Sequence, residues 1–403
     1  MIFDRSLSRR SFAIGSAAAA GAGMAAIALT SCSSNENHTQ TGEPQVVTDS
    51  SLIINVLDGD YEYTDATLTP SATWTLPLGT LLFHTGNAAW SAAMLTPESA
   101  AHINTLGALS LSSGNLVTVK EDATQGSPYT YFDVRCSDSV YAWIEINYTD
   151  RSWALFGQQF ADGSLVGDPV KLDEGDENWE PPRITVCGDS VIWQRMPLST
   201  GSSAGEDSHC YIWSVGADEG IEVWTSHGRF ATTPRVSGNV LTITPRVRED
   251  EGTYYGLTAL DLTSKDYDQV DQLVMPSPVA SLDAEYLGDR FAFSVEASYD
   301  GAGSLGSMGS FLGVSGGPYL YVRREPLSQI SGNGNTYLIK TQSSHLIVDT
   351  DAQTYGVLYS PDRSTEYGDF PATEGQSSQF LTFATVRGTT GIPESVTARV
   401  FQL

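Results

Sequence analysis

A turn dipeptide followed by apolar and aromatic residues returns along this chain at a nearly fixed interval. Gly188-Asp189-Ser190-Val191-Ile192-Trp193 is followed 50 residues later by Gly238-Asn239-Val240-Leu241, and 50 later again by Gly288-Asp289-Arg290-Phe291-Ala292-Phe293. Upstream, Ser137-Asp138-Ser139-Val140-Tyr141-Ala142-Trp143 keeps the phase with Ser in place of Gly, and Gly86-Asn87-Ala88-Ala89-Trp90 keeps it one step earlier. Downstream the signal weakens, at Gly334-Asn335-Thr336-Tyr337-Leu338 and then at Ser378-Gln379-Phe380-Leu381. A period of this length marks a repeat architecture, in which each unit buries its apolar face only against its neighbours.

One repeat reads as four short strands. Arg183-Ile184-Thr185-Val186 leads through Gly188-Asp189 into Val191-Ile192-Trp193-Gln194; a loop from Pro197 to Ser208 precedes Cys210-Tyr211-Ile212-Trp213, and a second turn precedes Ile221-Glu222-Val223-Trp224. Gly-Asp and Gly-Asn between β-branched runs favour tight hairpins, because Gly tolerates the positive φ such turns require. Trp153-Ala154-Leu155-Phe156, Tyr255-Gly256-Leu257-Thr258, Tyr319-Leu320-Tyr321-Val322 and Tyr355-Gly356-Val357-Leu358-Tyr359 are assigned to the third-strand place. The best helix candidate, Ala88 to His102, carries an anchor Trp that argues for a strand instead. Four antiparallel strands, repeated, predict an all-β fold: a β-propeller of four-stranded blades filling residues 51–403. Seven anchors predict seven blades, with six or eight left open by the weak last two. Leu52-Ile53-Ile54-Asn55-Val56 and neighbouring strands are expected to complete the last blade and close the ring. In texture the repeat resembles TolB-like and dipeptidyl-peptidase-like propeller blades over most of residues 76–375. It lacks the Ser-Pro-Asp-Gly turn usual in TolB blades.

The first 50 residues differ in kind. Ser8-Arg9-Arg10-Ser11-Phe12 is a twin-arginine pattern, Ala13 to Leu29 is alanine-rich and apolar, and Leu29-Thr30-Ser31-Cys32 ends like a lipobox. The apolar run is too short and too rich in small residues for a usual spanning helix. This terminus resembles those of bacterial lipoproteins exported by the twin-arginine route. The resemblance implies a signal peptide over residues 1–31 carrying Arg9 and Arg10, and lipid on Cys32 at the outer face of the cytoplasmic membrane. Residues 32–50, polar and without apolar period, read as a flexible tether.

Without residues 1–31 there remain 18 basic and 47 acidic side chains, a formal charge of −29. Such a surface repels phosphate backbones and anionic lipid headgroups, so nucleic acid is excluded as a partner and membrane contact is left to the lipid at Cys32. Cys136, Cys187 and Cys210 are expected as buried structural thiols, with Cys136 and Cys187 at equivalent repeat positions.

No coherent catalytic constellation emerges. Gly301-Ala302-Gly303-Ser304-Leu305-Gly306 and Gly313-Val314-Ser315-Gly316-Gly317 match dinucleotide and nucleophile strings, but both fall in a Gly- and Ser-rich insertion between second and third strands. The histidines are isolated and the acidic runs lack a calcium-loop pattern, so neither metal ligands nor a cofactor are assigned. Arginine is the less bland feature. Of 14 arginines beyond Cys32, Arg183, Arg195, Arg229, Arg235, Arg246 and Arg248 fall within 66 residues. Propeller geometry sends Arg183, Arg195, Arg235 and Arg246 toward one mouth, near Trp179. Arg forks and a Trp platform suit an acidic or sugar-like ligand, while charge balance with nearby carboxylates is the rival account. The expected function is a monomeric, non-enzymatic binding or interaction scaffold for a protein, peptide or carbohydrate. The alternative is a secreted propeller enzyme acting on carbohydrate or peptide.

Overall fold

The computed structural model describes residues 41–403 apart from 66–67, 98, 100, 324–328 and 360–367. Seven antiparallel sheets follow one another along the chain, each running from an inner strand at the axis to an outer strand at the rim. Blade 1 covers residues 80–120, blade 2 130–175, blade 3 183–226, blade 4 235–274, blade 5 283–323 and blade 6 330–359; blade 7 is built from residues 370–402 and 72–76. The seven-bladed propeller expected from the repeat is therefore present.

The register is strict where the repeat is strongest. Ser137, Cys187, Ser237 and Leu287, spaced by 50, each end an inner strand and pair across a two-residue turn with Val140, Ser190, Val240 and Arg290. Gly188, Gly238 and Gly288 open those turns at φ of +57°, +60° and +70°, the conformation that selects glycine at the first turn position. Three residues into the second strand stand Trp143, Trp193, Ile243 and Phe293, all buried between blades. Neighbouring blades share one apolar layer; between blades 2 and 3 it is built from Ile144, Trp153, Ile184, Val191, Trp193 and Trp213. Burying side chains of this size contributes about 1.5–3 kcal/mol each.

This register corrects the cysteine alignment. Cys187 matches Ser137, and Cys136 lies one residue earlier, paired with Tyr141. A one-residue offset in a strand reverses the side-chain direction. Cys136 accordingly packs in the core between blades 1 and 2, whereas Cys187 is half-buried at the turn face. Cys136, Cys187 and Cys210 are all free thiols.

An N-terminal strand closes the ring as expected, but it is not the one at 52–56. Ala72–Leu76, not the run at 52–56, pairs antiparallel with Pro393–Gln402 as the outer strand of blade 7, Trp74 opposite Ala398. Ile53–Asn55 instead lies parallel to Tyr319–Arg323 on the rim of blade 5, and Glu62–Tyr63 lies parallel to Thr354–Tyr359 on the rim of blade 6. Gln45 donates to the Val274 carbonyl on blade 4 and Val47 is buried, so residues 42–50, read as tether, lie against the propeller. The incoming chain thus covers the edges of consecutive blades, groups that would otherwise template pairing with another sheet. The two runs at 319–322 and 355–359 are outer strands; the third strands are Gly309–Gly313 and Ser344–Asp349. Gly313-Val314-Ser315-Gly316-Gly317 consequently sits in the hairpin after the third strand of blade 5. The helix candidate is resolved as the strand Trp90–Leu95.

Candidate functional site

The loops between second and third strands and the connections between blades share one face, the connector face. Period-two alternation turns Trp193 and Arg195 of the strand Ser190–Arg195 toward blade 2. Trp193 Nε1 donates to Asp173 Oδ2 at 3.0 Å, while Arg195 Nη1 pairs with Asp173 and donates to the Glu174 carbonyl. The Arg195 guanidinium lies 4.3 Å from the ring centre of Trp179 and 5.8 Å from that of Trp153, a stacking that the planar fork favours. Burial raises the Asp173 carboxyl above its ordinary value, outweighing the opposite pull of Arg195. Trp153 Nε1 donates to the Trp179 carbonyl at 3.1 Å, which fixes the connector from blade 2 to blade 3.

Trp153, Glu174, Trp179 and Arg195 line a cavity of about 350 Å³, with Tyr129, Ser152 and Gln125 on its far wall. Tyr129 and Ser152 are hydrogen-bonded at 2.7 Å. A carboxylate absent from the sequence reading holds that wall in place. Glu145, fully buried, accepts from the backbone N–H of Thr124 at 2.6 Å and of Gln125 at 2.8 Å, and from Trp143 Nε1 at 2.9 Å. Tyr129 also lines an adjoining cavity of about 600 Å³ beside Ile103, Glu121 and Asp122. The arrangement is an open polar recess with hydrogen-bonded walls.

The other predicted arginines separate. Arg183 Nη1 donates to the Ala231 carbonyl at 3.2 Å and lies in the field of Glu180 and Arg229; burial lowers its pKa. No carboxylate oxygen stands within 4.0 Å of it among the described residues. Arg229 is paired with Glu180 at 2.6 Å, so charge balance accounts for it. Arg246 is further out, its backbone N–H on Ser226 Oγ and its guanidinium reaching Thr253 at 3.5 Å. Arg235 is not at the mouth at all. It is buried at the channel wall, where Nε and Nη2 meet the two oxygens of Asp283 at 3.2 and 3.3 Å and Nη1 lies 3.2 Å from His84 Nδ1 and 3.7 Å from Glu374 Oε2. Burial alone would lower its pKa, but Asp283, Glu374 and Glu285 reverse the sign. Because a guanidinium only donates, His84 Nδ1 is the acceptor; burial, then Arg235 and Arg135, hold that ring neutral. So Trp179 and Arg195 form one site, Arg183 turns away from it toward the connector between blades 3 and 4, and Arg235 and Arg246 belong elsewhere. Cys32, Arg9 and Arg10 lie outside the described residues.

The opposite, anchor face carries a second cavity, of about 380 Å³, walled by the turns of blades 1 to 4 and by Glu374 and Gln376. The recurring turns therefore do more than measure the repeat: they line the channel mouth.

Fold and recess together define a seven-bladed β-propeller with a polar, aromatic-edged site at the seam of two blades. Among solved structures it is similar to a prolyl endopeptidase, with a TM-score of 0.52 at 11% identity over 81% of this chain and 50% of that one. It is likewise similar to a post-proline cleaving enzyme from Rickettsia typhi, with a TM-score of 0.51 at 9% identity over 79% and 52%. A puromycin hydrolase gives 0.49 at 12% identity over 85% and 56%. At these identities the likeness is one of fold. The chain spans about half the length of these proteins. No family model and no curated protein matches the sequence.

Proposed function

We propose that this chain is an extracytoplasmic propeller that engages peptides at the recess between blades 2 and 3. The observation that carries the reading is the spare hydrogen-bonding capacity of Arg195. Its Nη1 serves Asp173 and Glu174, while Nε and Nη2 have no partner among the described residues. Peptide carbonyls and carboxylates are acceptors that such forks take up, and Trp179 offers an apolar edge beside them. Support for peptide over carbohydrate, and for an enzymatic over a purely scaffolding role, comes from the two solved proteins of similar fold, both named for cleavage at proline or in peptides. Against catalysis by this chain alone stands the side-chain chemistry: among the described residues no histidine ring is hydrogen-bonded to a serine hydroxyl.

The test is to incubate the purified chain with a proteome-derived peptide library and follow retention and cleavage by mass spectrometry. Retention of a defined peptide set, weakened about ten- to hundredfold by Arg195→Ala, is the expected outcome, the loss of one to two charge-assisted hydrogen bonds. Retention indifferent to Arg195→Ala and Trp179→Ala sinks the site assignment; cleavage products decide between handling and hydrolysis. Export by Arg9-Arg10 and anchoring at Cys32 belong to the same proposal, supported by the motif spacing.

A further inference from the structure

Blade 7 departs from the other six where its inner strand belongs. Phe370–Pro371 is two residues long and pairs with Thr382 and Phe383; Ala372 N–H still donates to the Leu381 carbonyl at 2.8 Å and Thr373 Oγ1 accepts from Leu381 N–H at 2.7 Å, after which the chain leaves the sheet and returns to it only at Gln379. Between, residues 372–377 bond to blades across the ring. Thr85 of blade 1 donates to the Ala372 carbonyl at 3.0 Å and accepts from Glu374 N–H at 2.9 Å. The Glu374 carboxylate, 5% exposed, accepts from Thr185 Oγ1 of blade 3 at 3.1 Å and from Val236 N–H of blade 4 at 2.7 Å. Gly375 donates to Glu285 of blade 5, and its carbonyl accepts from Gly332 of blade 6 at 3.2 Å. Gln376 donates to Ser237 Oγ and accepts from Gly334 N–H, both at 3.0 Å. Gly375 stands at φ +74°, and a Cβ there would lie 2.8 Å from the Val236 carbonyl, so the crossing fits closely.

We infer that residues 372–377 are a strap that shuts the propeller channel, that Glu374 is its latch, and that opening the strap releases one proton from Glu285. Five blades besides its own hold the strap, so the axis is closed to a polypeptide while it is seated, and the recess on the connector face is reached from outside. Opening the strap joins the anchor-face cavity to the channel interior.

The proton follows from the charges that meet beneath the strap. Glu285 on the inner strand of blade 5 is buried, with one oxygen lacking any partner. It faces Glu374 on the strap, Arg235 on blade 4 and Asp283 on its own strand; His84, held neutral, stands beyond Arg235, with Arg135 near the ring. Three carboxyl groups share one guanidinium. Burial first, and Glu374 second, push Glu285 well above the ordinary carboxyl range, so it holds its proton while the strap is seated. When the strap lifts, Glu374 departs and water enters, and Glu285 returns toward its ordinary value. The seated state then binds one more proton than the open one, so its stability falls as pH rises above that ordinary value and levels off only past the raised one.

Hydrogen exchange read by mass spectrometry on the full chain tests this. After correction for intrinsic exchange, the rate of the 372–377 amides is expected to rise about tenfold per pH unit from about pH 5 upward, one proton per opening. Glu285→Gln, neutral and of the same shape, is expected to abolish the slope and leave slow exchange; Glu374→Gln is expected to speed exchange at every pH. A flat wild-type profile overturns the proton linkage, as does a slope that survives in Glu285→Gln. Exchange as fast as in an exposed loop overturns the strap itself, and neither result touches the peptide recess.

Discussion

Glu145→Ala removes a side chain that touches no ligand and yet shapes the recess. The fully buried carboxylate accepts from Thr124 N–H, Gln125 N–H and Trp143 Nε1. Alanine leaves three donors without acceptors at about 1–3 kcal/mol each, partly relieved by water entering the space, so we expect a net loss of about 3–5 kcal/mol. At about 2.1 cal/mol/K per residue, a unit of about 360 residues unfolds with about 0.8 kcal/mol/K, which converts that loss to a fall in Tm of about 4–7 °C. Glu145→Gln separates the three bonds. Its carbonyl, placed at the Oε1 position, keeps Thr124 and Trp143; its NH2 is set against the Gln125 N–H. A loss of about 1–3 kcal/mol is expected, with the amide of Gln125 the one that gains exchange. Calorimetry gives the first number and hydrogen exchange the second. An alanine variant within 1 °C of the parent, or a glutamine variant as damaged as alanine, refutes the assignment of Glu145 as the pin of this connector.

Ser137 Oγ donates to the Gly188 carbonyl at 2.5 Å, whereas Cys187, one repeat later, reaches the Gly238 carbonyl at 3.5 Å with a weak sulfur donor. Cys187→Ser is therefore expected to gain about 0.5–1.5 kcal/mol, seen as a small rise in Tm; a fall contradicts the equivalence. Gly175→Ala places a Cβ 2.3 Å from the buried Trp153 ring, and an overpacking loss of about 1–3 kcal/mol with weakened peptide retention is expected; unchanged retention removes Trp153 from the site's support. Cys32→Ala is expected to move the protein from the membrane to the soluble fraction, and continued sedimentation with membranes defeats the lipid anchor.

What could be read from the sequence was what repeats. Trp143, Trp193, Ile243 and Phe293 recur at 50 because each fills the equivalent place in its own inter-blade layer, and local periodicity reports such layers directly. Arg195 and Trp179 were also within reach, since strand direction alone sends the end of a second strand and the following connector to one face. Arg235 was misplaced for a reason equally physical. It begins an inner strand as Arg183 does, but at Arg235 the neighbouring strand supplies Asp283 and the strap supplies Glu374, from 48 and 139 residues away, and long-range pairing of charge leaves no local signature. Glu145 was hidden likewise: a buried carboxylate amid Trp143-Ile144 and Ile146 looks like a polar residue on a strand until its three backbone and indole donors are seen.

The loss of the repeat signal at Ser378 carries information of its own. Every other anchor closes a short hairpin or a small loop between inner and second strands, and such turns select Gly, Asp or Asn. At blade 7 the same connection crosses the channel, so turn residues give way to Glu374 and Gln376, side chains with bonds to make to other blades. A faded repeat flanked by intact apolar strands, here Phe380-Leu381 and Val400-Phe401, is the trace that a segment diverted from its blade leaves in sequence. By that logic the anchor that was hardest to recognise marks the most specialised element of the propeller, and the carboxylate at its centre is where a change of one charge reaches blades 3, 4 and 5.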